Sequence, residues 1–69
     1  MAKAYDTIES IIDRIGVRDT LIIITDIMQD KAQHILTEWQ DEKLAGKWNH
    51  SASLIADVVY RLPKVPGIK

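Results

Sequence analysis

The sequence predicts an all-α fold: three helices over about 6–15, 20–45 and 50–62, one long central helix flanked by two shorter antiparallel ones, assembling as a homodimeric helical bundle. Three observations carry that expectation. Isoleucines recur at helical spacing near the amino terminus. A run of apolar residues in the middle is too broad for one helix face. Three glycines and two prolines are all that punctuate the chain, which leaves long stretches for helix.

The first helix is expected over 6–15. Asp6 has the side chain of an N-cap, with Glu9 three positions later. Ile8, Ile11, Ile12 and Ile15 then fall on one face, and Gly16 is the residue type that ends helices.

The second helix is expected from Asp19, an N-cap type, to about Ala45, where Gly46 would stop it. Leu21, Ile22, Ile23 and Ile24 are consecutive, and Ile27 and Met28 extend them into an apolar collar around the helix. Farther on, Ala32, Ile35, Leu36 and Trp39 form a one-sided stripe. Thr20–Thr25 is rich in β-branched residues, so a strand is the competing reading there. It has no partner strand in the sequence. The third helix is expected to start near Asn49 or Ser51, with Leu54, Ile55, Val58, Val59 and Leu62 as its stripe and Pro63 as its stop. Residues 1–62 form one helical domain in this reading, and 63–69 an extended, mobile tail.

A chain of 69 residues buries only about 60% of its unfolded surface, so its own core is marginal. The absence of cysteine removes disulfides, Cys-based zinc sites and thiol chemistry as supports. Short connections would fold the first helix back along the start of the long one and the third along its end. The collar would then stay partly open. Leu21, Ile22, Ile23, Ile24, Ile27 and Met28 are accordingly the expected dimer interface, because soluble proteins avoid leaving such patches bare.

Charge divides unevenly. Residues 1–42 carry four basic and nine acidic side chains, net −5, whereas 43–69 carry five basic and one acidic, net +4. The overall charge of −1 argues against nucleic-acid binding through bulk electrostatics. A weak nucleic-acid surface built from Lys43, Lys47, Arg61, Lys64 and Lys69 is a third reading. No apolar run is long enough to cross a membrane, and the first residues lack the apolar core of a secretory signal, so a cytoplasmic protein is expected.

Catalytic signals are sparse. Asp26, Asp30, His34 and Glu38 are spaced by four, a polar ridge that could ligate a divalent metal and support a metal-dependent enzyme or metal-binding protein. Glu9 and Asp13 form another i,i+4 acidic pair, but no phosphate-binding glycine loop accompanies them. The bland reading of the ridge is a solvated face with Asp30 paired to His34. His50 beside Lys43 and Lys47 could form an anion site at a helix start, although Trp48 anchoring a capped turn explains the same residues. Pro63-Lys64-Val65-Pro66 reads as a helix stop rather than a docking motif. No cofactor is expected. The leading functional expectation is a non-enzymatic interaction protein that binds itself and another protein, with Trp39, Trp48 and Tyr60 as partner anchors.

Overall fold

The computed structural model describes residues 2–63. They form α1 (Ala2–Ile15), α2 (Val17–His34), a π-helical turn (Ile35–Trp39) that continues α2, and α3 (Glu42–Arg61). No strand occurs among the described residues. The three-helix, all-α expectation is met, but the boundaries differ from those read in the sequence.

Helix α1 begins at Ala2, so Asp6 lies inside it and is not a cap. The Thr7 hydroxyl donates to the Lys3 carbonyl at 2.9 Å, one turn back. Gly16 ends the helix: its N–H donates to the Ile12 carbonyl at 2.7 Å, and its φ of 89° is a conformation that side-chain-bearing residues resist. Val17 already belongs to α2, so a single residue links the two helices.

The Thr20–Thr25 stretch is helical, which disposes of the strand alternative. Both threonines are buried, yet each has a partner within the helix. Thr20 Oγ1 donates to the Gly16 carbonyl at 2.7 Å, and Thr25 Oγ1 donates to the Leu21 carbonyl at 2.9 Å. Back-bonding to the preceding turn lets a β-branched, hydroxyl-bearing residue sit in a helix without a buried unsatisfied group.

The long central helix expected over 20–45 does not exist as such. The chain breaks at Gln40–Asp41, five residues before Gly46. The π-helical turn leads into Gln40, whose φ of 53° and ψ of 32° are left-handed. Asp41 then caps α3, its Oδ1 accepting from the Leu44 N–H at 3.0 Å. A satisfied cap and a left-handed residue define this boundary more strongly than a glycine does. Gly46 sits within α3, exposed, and beyond the helix's own nearby backbone no heavy atom lies within 4 Å of where a Cβ would stand. The third helix therefore starts at Glu42 and not near Asn49 or Ser51; α2 with its π-helical continuation spans 17–39, and α3, at 20 residues, is nearly as long. Leu62, before Pro63, is extended as expected for a residue preceding proline. The expected tail, apart from Pro63, lies outside the described residues.

The body of the molecule is the α2–α3 pair. Arg18, near the start of α2, donates from Nε to the Val59 carbonyl near the end of α3 at 3.4 Å. Met28, farther along α2, lines one groove with Leu44 and Trp48 of early α3. Arg18, Leu21, Thr25, Met28, Ala32 and Ile35 repeat at alternating spacings of three and four, and all are buried or half-buried. Ala45, Trp48, Ala52, Ile55, Val59 and Leu62 do the same on α3. That is the 3.5-residue period of a helix-pair seam. The alanines at its centre let the two backbones come close, and Ala32, Ile35, Ala45, Ala52 and Val59 are the whole buried apolar core among the described residues.

Helix α1 stands apart. It meets α2 near their junction and does not approach α3 or the π-helical turn. Residues 3–11 are all exposed, so α1 does not fold back along the long helix as the sequence suggested. The result is a flat molecule, 41 × 29 × 15 Å in extent.

Candidate interaction surface

The site this architecture creates is apolar, and it lies on the two helices that the body fails to cover. On α1, Tyr5, Ile8 and Ile12 share one face with Glu9 at its edge. Tyr5 is 68% exposed and Ile8 is 50% exposed, values typical of polar positions. On the other flank of α1, Ile11 and Ile15 reach Ile23 of α2, with Arg14 beside them, so that the two helices line one apolar groove together.

The collar on α2 divides into two halves. Leu21 and Met28 are half-buried in the seam with α3, so they serve the fold of one chain. Ile22, Ile23, Ile24 and Ile27 remain exposed, with Ile27 at 50%. Ile22 lies at the edge of the seam, in a groove with Thr25, Asp26, Ala56 and Val59. Ile27 faces away from α3, in a groove whose other residues are Asp30, Lys31 and His34.

The metal candidates scatter. Asp30 and His34 share the Ile27 groove, whereas Asp26 lines the separate groove against α3. No three His, Asp or Glu side chains among the described residues, Glu38 included, converge so as to hold a metal ion. His34 packs edge-on against Trp39, with ring centroids 6.3 Å apart and planes at 70°. The widened π-helical turn makes this possible, because it brings residues five apart into register. The Asp30–His34 pair expected from their spacing does not form; the ion pair among the described residues is Asp57–Arg61 at 3.5 Å, on the exposed surface. Glu9 and Asp13 remain on α1 without a third ligand.

The three aromatic anchors do not form one surface. Trp39 is 63% exposed at the end of the π-helical turn and Tyr60 is 88% exposed near the end of α3. The length of α3, about 30 Å at 1.5 Å per residue, separates them. Trp48 is half-buried in the groove with Met28, Leu44, Lys47 and Ser51, where it supports the helix pair. His50 and its neighbours lie in mid-α3, whose backbone N–H groups are already used within the helix, so no helix start presents itself there to an anion. Of the basic set, Lys43, Lys47 and Arg61 lie on α3, while Lys64 and Lys69 fall outside the described residues. No helix is long and apolar enough to cross a membrane among the described residues.

What sequence reading missed was the seam. Its signal was present in the 3–4 spacing of residues 18–35 and 45–62, but Thr25, Ala32, Ala45 and Ala52 give it little hydrophobic contrast. Comparison with protein-family models, with curated proteins and with solved structures finds no match.

Proposed function

We propose that the chain is a small non-enzymatic interaction protein, a cytoplasmic helical homodimer that presents its remaining surface to another protein. The observation that supports this reading is the bare apolar surface of α1 and outer α2, where Tyr5, Ile8, Ile23 and Ile27 stand in solvent on a single chain. Contiguous apolar surface rimmed by polar groups is the ordinary mark of a protein-binding face. In this reading the dimer covers Ile22, Ile23, Ile24 and Ile27 of the collar, and Trp39 and Tyr60 serve as anchors for a different partner. Leu21 and Met28 leave the expected interface because they are already used within the chain.

The test is mass in solution by light scattering across a dilution series, with helicity followed in parallel. A helical dimer that dissociates on dilution is the expected result. A fully helical monomer at every concentration would overturn the homodimer.

A further inference from the structure

We infer that α1 is a docking arm for a second copy of this chain: its Tyr5–Ile8–Ile12 stripe seats on the partner's α2 around Ile27, and the partner's arm does the same in return. The inference rests on the homodimer reading and specifies which surfaces meet.

Chain connectivity excludes the alternative cover. A helix folds back on its neighbour through a loop of about two to five residues. Gln40 and Asp41 provide such a loop between the π-helical turn and α3. Between α1 and α2 there is Gly16 alone, and α1 accordingly runs off the body without touching α3. Among the described residues nothing covers its stripe. The outer face of α2 is open for the same reason, since the helix that would have covered it has not folded back.

Exposed area matches what a dimer requires. The chain exposes 5657 Å². A compact monomer of 7.8 kDa exposes about 4,400 Å², an excess of about 1,300 Å². Allowing the residues outside 2–63 the full area of an unfolded stretch still leaves an excess of about 500 Å². A standard interface removes about 800 Å² from each partner, which falls between those bounds.

The partner is a second copy because both halves of the contact are present on one chain. An arm and a face on the same molecule close a two-fold pair with two identical contacts. Charge fits as well. Glu9 borders the arm's stripe, while Lys31 stands beside Ile27 as its opposite charge, with Asp30 the like charge next to it. The net charge of −1 per chain offers little repulsion between copies.

Sedimentation equilibrium on the full-length chain and two variants tests the pairing. Ile8→Glu places a carboxylate in the arm, and Ile27→Lys places an ammonium in the face. Both sites are half exposed and both new residues are good helix formers, so circular dichroism should show unchanged helicity. Each variant alone should dimerise at least about tenfold more weakly than the unaltered chain, the loss that about 1.4 kcal/mol produces. Mixed, they should dimerise more tightly than either alone. One arm-to-face contact is then intact, and the other sets the introduced carboxylate against the introduced ammonium in place of two isoleucines. An Ile8→Glu variant that dimerises as tightly as the unaltered chain would remove the arm and leave the homodimer standing. A mixture no tighter than its components would show that arm and face do not meet. A monomeric unaltered chain would overturn both readings.

Discussion

Helix α1 and the α2–α3 pair are built from the same kind of sequence and end in opposite conditions. The most sharply amphipathic helix of the three is α1, yet it is the least covered. The α2–α3 seam includes Thr25 and Ala32 on α2 and Ala45 and Ala52 on α3, small or polar residues all, yet it is where the chain is buried. Amphipathicity says that a face needs a partner, not that the partner belongs to the same chain. The difference lies in the links: two residues, one left-handed and one capping, reverse the chain at Gln40–Asp41, and a single glycine at position 16 does not.

Substitutions in the two regions should set these conditions apart. Ile35 is 4% exposed and is the largest member of a small core, so Ile35→Ala should cost about 3 kcal/mol in urea unfolding followed by circular dichroism. A loss below about 1 kcal/mol would mean that the seam is not the centre of stability. Next is Gly16→Ala, which forces a side chain into φ 89° and ψ 166°, a region essentially confined to glycine, and should cost about 1–3 kcal/mol, with the junction between α1 and α2 loosened. Amide hydrogen exchange should then accelerate around Thr20; an unchanged exchange pattern would contradict the account of the junction.

Asp41→Ala removes the acceptor of the Leu44 N–H and should cost about 1 kcal/mol, read as a lower urea midpoint. Gly46→Ala works in the other direction. The site is helical and open, so it should add just under about 1 kcal/mol. Destabilisation there would show that α3 depends on the glycine. The smallest effect belongs to Ile8→Ala, which should change stability by no more than about 0.5 kcal/mol at dilutions where chains are separate, because Ile8 touches little in its own chain. The same chemistry at Ile35 and Ile8 thus separates a residue the fold uses from one it leaves free.

Particular residues show how far the sequence could be read. The spacing of Ile8, Ile12 and Ile15 and the glycine after them located α1 to within a few residues at its start. Pro63 marked the end of α3. Asp41 was the hidden boundary: it is a good cap by type, but it lies in a charged run beside Glu42 and Lys43 that reads as ordinary helix surface. Gly46 misled for the converse reason, since an exposed helix tolerates glycine at a modest cost. The spacing by four of Asp26, Asp30, His34 and Glu38 was legible, but the separation of Asp26 from Asp30 and His34 and the turn of His34 toward Trp39 depend on the neighbouring helix and on the π-helical geometry.

Periodic isoleucines and scarce breakers settle the helical character of the chain before any packing is considered, because they act locally, within a turn or two. Which apolar residues are buried is a tertiary matter. Leu21 and Met28 turn to α3 while Ile23 and Ile27 turn away, and that choice depends on where the chain reverses. Reversal is set by a few backbone angles at Gln40 and Asp41, each a small local energy that directs the packing of every residue after it.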